Sequence, residues 1–155
     1  MRLTKKTVFI GIASLLILGL ASWGVNVFLV MNNAQKSFDK NFIHFQAKSD
    51  DNETFITQGI GKKEAYNLSY SPAKKTIEIS KSTKNGDIYS SDSIYGAVKI
   101  YDIKQNANRY VFITAAKPII VDFGITSVKV TYDGGHFETP YSELHFGETF
   151  PSEDN

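Results

Sequence analysis

The sequence predicts an all-β ectodomain, an antiparallel two-sheet sandwich of immunoglobulin-like or small-barrel type, on a single N-terminal transmembrane α-helix with a short helical stalk. Residues 8–25 form an eighteen-residue run of apolar and small side chains near the start of the 155-residue chain, close to the length that crosses a bilayer. From Glu53 onward apolar side chains recur at every second position. Turn residues interrupt them about every eight to twelve residues, a spacing typical of sandwiches and barrels.

The chain divides into five predicted segments. Outside the apolar run roughly 115 residues remain, which is enough for one small hydrophobic core but not for two domains. The segments are a basic cytoplasmic N-terminus (1–6), a transmembrane helix acting as a signal anchor (7–31), a stalk or linker (32–52), an extracytoplasmic β domain (53–150) and a polar tail (151–155).

Residues 7–31 contain no charged side chain. As a helix they would be about 37 Å long, more than the roughly 30 Å hydrocarbon core, so some tilt is expected. Arg2, Lys5 and Lys6 precede this segment, and basic residues tend to stay on the cytoplasmic side. The sequence therefore predicts a single-pass protein of the cell membrane with a cytoplasmic N-terminus, an extracytoplasmic C-terminal domain and Trp23 near the outer interface.

A cleaved signal peptide is the alternative interpretation of the same segment. Residues 8–20 have the length of a signal-peptide apolar region, and small residues at Gly19 and Ala21 suit a peptidase. The apolar sequence continues for ten residues beyond Ala21, however, and a mature secreted chain would expose them to water. We therefore favour the uncleaved anchor.

The stalk carries an aromatic stripe. Ala34, Phe38 and Phe45, with Phe42 beside them, recur at roughly helical spacing. Such a stripe could dock a partner helix or pack under the attached domain, and we favour packing under the domain.

The β domain is expected to contain eight or nine short strands. Lys84 to Asp87 supplies an Asn-Gly pair, the strongest short hairpin signal. Ile94, Val98 and Ile100 are expected on one face of a strand, with Tyr95, Lys99 and Tyr101 on the other. The predicted strands lie at 56–60, 65–70, 76–80, 94–103, 109–116, 118–123, 125–132, 136–139 and 141–146. The predicted core includes Tyr110, Phe112, Ile113, Val128 and Val130.

One predicted hairpin carries side chains that could bind a metal. If residues 139–142 form a tight turn around their proline, His136 faces His145 and Glu138 faces Glu143 on one side of the hairpin. Imidazoles and carboxylates are ligands for first-row transition metals. Exposed hairpin faces commonly carry these residues, so we expect a solvent-facing polar ladder with no metal, no cofactor and no catalytic residue. A metal-dependent or enzymatic module on this face is the alternative.

Composition and motifs exclude several classes of site. The chain has no cysteine, which rules out disulfides, thiolate metal sites and cysteine nucleophiles. Nucleophile elbows, glycine-rich phosphate loops and His-Glu-x-x-His motifs do not occur. Residues 41–155 carry twelve basic against fifteen acidic residues, a net charge of −3, so nucleic-acid binding is not expected.

Tyrosine is abundant in the β domain. Such side chains could bind an envelope polymer or small ligand, but tyrosine is also an ordinary strand residue, and we favour that structural explanation. The five considered for binding are Tyr66, Tyr70, Tyr89, Tyr95 and Tyr101.

The resulting functional prediction is a non-enzymatic binding or accessory module tethered to the membrane and acting through a protein partner at the cell envelope. An accessory subunit of a membrane complex and an immunity or superinfection-exclusion factor both fit an anchor with one domain. Fifteen lysines against two arginines and the absence of cysteine suggest a Gram-positive source.

Overall fold

A computed structural model describes residues 5–46, 53–57, 64–85 and 88–149. Several predicted features lie outside these residues: the start of the cytoplasmic segment, the end of the stalk, Ile60 of the first strand, the centre of the Asn-Gly turn and the polar tail.

A single long helix begins the structure. Helix α1 runs from Lys5 to Phe38 over 34 residues and continues into a π-helical turn, Asp39–Ile43. The N–H of His44 donates to the carbonyl of Asp39 at 2.8 Å and closes that turn. The segment Phe9–Ile43 contains a stretch that is long and apolar enough to cross a membrane: its mean hydropathy is 2.0, and no residue of it is buried against the protein. The predicted N-terminal apolar helix is confirmed.

Nine antiparallel strands form the remainder of the described chain, which confirms the all-β prediction. They pair in the order β8-β7-β6-β5-β4-β3-β2-β1-β9. The strands are β1 Glu53–Thr57, β2 Glu64–Ser71, β3 Thr76–Asn85, β4 Ile88–Asn106, β5 Arg109–Thr114, β6 Ile119–Phe123, β7 Ser127–Tyr132, β8 Gly135–Pro140 and β9 His145–Thr149.

Consecutive strands from β1 to β8 are neighbours, and β9 returns to pair with β1. The predicted two-sheet immunoglobulin-like arrangement is not confirmed, because one pairing order joins all nine described strands without the Greek-key connection of that class. Strands β8 and β9 lie at opposite edges although only residues 141–144 separate them. Those residues span at most about 18 Å, so the two edges must approach each other. Consistent with this, Tyr66 of β2 stacks on Phe137 of β8 with ring centroids 5.3 Å apart.

Strand β4 joins the two halves of the sheet. Its residues 88–99 pair with β3, and residues 100–106 pair with β5. Register shifts occur near Ile79 and between Ile100 and Asp102, as expected where a strand bends from one half into the other. Residues 88–98 have no strand on their other side among the described residues, whereas the carbonyl of Lys99 accepts from the N–H of Ala115 at 2.9 Å. The first half of β4 is therefore an open edge.

The end of the helix lies inside the β core. Phe38 and Phe42 are fully buried, and their rings stack on each other with 4.8 Å between the centroids. The ring centroid of Phe38 lies 4.8 Å from that of Tyr110 and 5.4 Å from that of Phe123. The ring centroid of Phe42 lies 6.3 Å from that of Phe112. The expectation that the aromatic stripe of the stalk packs against the domain is confirmed for Ala34, Phe38 and Phe42, whereas Phe45 lies outside the core. The β domain and the end of the helix share one core.

Several local predictions are corrected. Strand β4 runs from Ile88 to Asn106 and is therefore longer at both ends than the predicted strand 94–103. Ile94 is 39% exposed whereas Tyr95 packs against the core, because the register shift reverses the faces at this point. In β5 alternate residues point inward, so Ile113 is only half-buried and its placement in the core is wrong. Tyr110, Phe112, Val128 and Val130 are buried as predicted.

We expect Phe42→Ala to destabilise the β domain strongly although Phe42 lies outside every strand. Truncating a fully buried phenylalanine typically costs about 3–5 kcal/mol, a large share of the stability of a small domain. The measurement is denaturant unfolding of the full chain in detergent, followed by near-ultraviolet circular dichroism.

Tyr101→Ala is the control, because Tyr101 is 67% exposed. Its denaturant midpoint should be close to that of the parent. If Phe42→Ala also kept the parental midpoint, the helix end would not belong to the core.

Candidate functional site

The predicted hairpin of His136, Glu138, Glu143 and His145 does not form. Strand β8 pairs with β7, which places His136 opposite Thr131. His145 begins β9 and pairs with Thr57 of β1 at the other edge of the sheet. A short 3-10 turn, Tyr141–Glu143, separates the two strands. The predicted polar ladder is therefore wrong.

Tyr141 is the physical reason for this difference. Its N–H donates to the carbonyl of Thr126 at 3.2 Å, and its hydroxyl donates to the carbonyl of Gly124 at 2.6 Å. These bonds hold the chain after Pro140 against the β6–β7 turn, so it cannot fold back onto β8.

The four hairpin side chains do not form a metal site in the described part of the chain. Glu138 accepts a hydrogen bond from the hydroxyl of Ser127 and lies opposite Lys129. Within the described ranges no group of three or more His, Asp or Glu side chains is placed to hold a metal ion.

The best-defined polar cluster lies where the helix enters the sheet. The hydroxyl of Tyr110 donates to Oδ1 of Asp39 at 2.7 Å and accepts from Nε2 of Gln105 at 2.9 Å. Gln35 on α1 donates to the carbonyl of Ala107 at 2.7 Å and lies 3.4 Å from the same hydroxyl. Burial, reinforced by the bond to the Asp39 carboxylate, raises the pKa of Tyr110 well above its usual value. This cluster links the helix to the β4–β5 hairpin.

A cleft of about 420 Å³ opens beside this cluster, with Asp39, His44 and Asp102 among its lining residues. Asp39 already accepts from Tyr110, and Asp102 accepts from the N–H of Ile103 at 2.9 Å. Both carboxylates thus take part in bonds within the fold. The cleft is best explained as part of the junction.

The tyrosines do not form a shared exposed surface among the described side chains. Tyr101 is 67% exposed and Tyr70 is buried, whereas Tyr66 and Tyr95 are half-buried and pack against the core. The side chain of Tyr89 lies outside the described residues. This distribution favours the structural explanation of the tyrosines.

Two surfaces that sequence reasoning missed remain as candidates for interaction. The first is the open edge of β4, residues 88–98. The second is an apolar groove between α1 and the β6–β7 turn, where Trp23 and Val27 lie near Ile125. The tertiary fold alone creates both, and the only sequence signal was the isolated Ile125 in an otherwise polar turn. No protein-family model, curated protein or solved structure matches this chain.

We expect the free energy of unfolding to fall less steeply at alkaline pH in Tyr141→Phe than in the parent. Burial raises the pKa of Tyr141 to about 12, whereas a tyrosine in the unfolded chain titrates near pH ~10. Below pH ~10 the Tyr141 hydroxyl is protonated in both the folded and the unfolded chain, so its full contribution to stability is present. As pH rises from ~10 toward 12 the unfolded chain releases a proton that the folded chain retains, so stability falls.

The free energy of unfolding measured against pH in detergent tests this expectation. Tyr101→Phe, which removes an exposed hydroxyl, is the matched control and should keep the parental slope. An unchanged slope in Tyr141→Phe would contradict the burial of that hydroxyl.

We further expect the double variant His136→Ala, His145→Ala to differ from the parent by only a few tenths of a kcal/mol per site, because both side chains are exposed. Zinc or a chelator should leave the melting temperature of both proteins unchanged. A metal that stabilised the parent but not the variant would instead indicate a site.

Proposed function

We propose that this protein is a non-enzymatic binding module, anchored by a single transmembrane helix, that acts through contacts with another protein at the outer face of the membrane. In this proposal the N-terminus is cytoplasmic and the β domain is extracytoplasmic. An accessory subunit of a membrane complex and an immunity or exclusion factor are the two roles that we favour.

The observation that carries this proposal is the shared core of the helix and the sheet. Phe38 and Phe42 are fully buried among strand residues, and the Tyr110 hydroxyl bonds to Asp39 just after the helix. A domain joined in this way is held at a defined height and orientation relative to the apolar helix. That arrangement suits the presentation of a surface to a partner in or near the same membrane.

We also propose that the two halves of the sheet face each other across the aromatic core, as in a sandwich. Ring contacts between distant strands support this: Tyr66 with Phe137 at 5.3 Å, and Tyr95 with Tyr132 at 5.9 Å. Strand β4 would then be the element shared by both faces.

The open edge of β4 is the surface that we propose for the partner. An unpaired edge offers a row of backbone N–H and C=O groups to which an extended segment of another protein can add as a strand. Natural edges are usually protected by lysine, proline or a covering element. Residues 88–98 contain no lysine and no proline, and Ser90 to Ser93 are exposed.

The other two functions considered gain no support from the described residues. His136 lies opposite Thr131 and His145 lies opposite Thr57, and within the described ranges no group of three or more His, Asp or Glu side chains is placed to hold a metal ion. Only one described tyrosine side chain is exposed, which leaves little aromatic surface for a polymer.

Site-specific photocrosslinking in intact membranes tests the proposal. A photoreactive amino acid at Ser91 of the full chain should give a discrete adduct with one protein, and Ser93→Lys, which adds a charge at the edge, should abolish that adduct. Ala73→Lys places the same charge on the exposed turn between β2 and β3, whose Lys75 carbonyl accepts from the N–H of Ile100 beyond the open edge, and should leave the adduct intact.

Both lysine variants should have the melting temperature of the parent, so that loss of the adduct indicates a blocked edge and not unfolding. Absence of any adduct at Ser91, or an adduct that persists in Ser93→Lys, would overturn the assignment of the edge as the binding surface.

A further inference from the structure

The turn between β6 and β7 lies beside the apolar helix. A groove of about 280 Å³ separates them, with Trp23, Val27 and Val30 of α1 on one side and Ile125 and Tyr141 on the other. The helix residues in this groove belong to the segment 7–31 that is free of charge. The β6–β7 end of the β domain is therefore level with the C-terminal end of that apolar segment.

Helix geometry places this turn at the level of a membrane surface. Lys6 is the last charged residue before the apolar segment, and about twenty helical residues cross a hydrocarbon core of roughly 30 Å. Counted from residue 7, the far boundary falls near Asn26, which itself lines the groove. A tilt of about 20° shifts the boundary by only one or two residues. Ile125 is thus beside the far boundary of the hydrocarbon core.

The chemistry of the turn suits an interfacial environment. Ile125 is 62% exposed and Trp23 is 60% exposed, and residues 123–128 contain no charge. The charges beside the turn have partners: Asp122 pairs with Arg109, with 2.5 Å between Nε and Oδ1. Lys129 lies opposite Glu138, which also accepts a hydrogen bond from the Ser127 hydroxyl. Tryptophan and tyrosine are enriched where a membrane meets water.

Several backbone polar groups of this turn are bonded within the protein. The N–H of Gly124 donates to the carbonyl of Ser127 at 2.8 Å, and the Gly124 carbonyl accepts from the Tyr141 hydroxyl. The Thr126 carbonyl accepts from the N–H of Tyr141, and the Phe123 carbonyl accepts from Nδ2 of Asn108. A loop that enters a region poor in water must meet this requirement. The N–H and C=O of Ile125 itself have no partner among the described residues, so the turn suits the interfacial layer, where water and lipid headgroups can bond to them, and not the hydrocarbon core.

We propose that the β6–β7 turn is a second membrane contact, in which Ile125 inserts into the interfacial layer of the outer leaflet beside Trp23. The occupant of this surface is the lipid bilayer that surrounds α1. The inference rests on the membrane anchoring proposed above. Two contacts, the helix and the turn, fix the tilt of the domain and hence the direction in which the open edge of β4 faces.

Depth-dependent fluorescence quenching tests the proposal on the full chain in phosphatidylcholine and phosphatidylglycerol vesicles. The chain has no cysteine, so a single cysteine at position 125 carries an environment-sensitive nitrobenzoxadiazole label. We expect a blue-shifted emission from Ile125→Cys and stronger quenching by lipids with a nitroxide near the headgroup than by lipids with one at the chain end.

Tyr101→Cys is the matched control. Ile125 and Ala107 lie at the same end of the sheet, since Phe123 donates to the carbonyl of Asn108 at 2.8 Å. Tyr101 is equally exposed and precedes Ala107 by six residues, about 20 Å along β4. Its label should report water and show little quenching.

Leu16→Cys separates the two levels of the proposal, because Leu16 is in the middle of the apolar helix. If Leu16 is quenched by the deep nitroxide while Ile125 behaves like Tyr101, the helix is anchored and the second contact is overturned. If Leu16 is not quenched, the anchoring fails and the inference fails with it.

Discussion

Burial of two phenylalanine side chains from the end of a long apolar helix is the interaction on which the rest of the structure depends. Phe38 and Phe42 lie where the sheet would otherwise enclose an empty space, and their rings contact residues from both halves of the sheet. An unfilled core of that size would be costly, because protein interiors are close-packed. The sheet is thus completed by a segment that is not a strand.

This shared core fixes the end of the helix against the sheet. Tyr110 packs its ring against Phe38 and directs its hydroxyl to Asp39 and Gln105. Gln35 adds a bond to the β4–β5 hairpin from the preceding helical turn. Apolar packing supplies most of the stabilisation, since a hydrogen bond contributes only about 1 kcal/mol net. The polar bonds set the angle at which the helix enters.

The course of β4 and the position of β9 determine which surfaces are available. Because β4 changes partners midway, its first half is left without a neighbour on one side among the described residues. Because β9 pairs with β1 and not with β8, the turn at Tyr141 lies against the β6–β7 turn and the helix. The proposed protein-binding edge and the proposed membrane contact are consequences of these two pairings.

The sequence alone determined the features that depend on local pattern. An uninterrupted apolar run predicts a long helix, and alternation at every second position predicts antiparallel strands, so α1 and most strands were found close to their observed bounds. The burial of Tyr110, Phe112, Val128 and Val130 follows from the same alternation. Helical spacing also indicated that the aromatic residues of the stalk share a face.

Strand pairing was decided only by the tertiary structure. His136 and His145 are nine residues apart, and local turn geometry favoured a hairpin between them, but long-range pairs of β8 with β7 and of β9 with β1 prevailed. The reversed faces of Ile94 and Tyr95 likewise come from a register shift against β3, which no alternation pattern reveals. Periodicity specifies which side chains share a face of a strand, whereas the neighbour of each strand is set by the packing of the whole core.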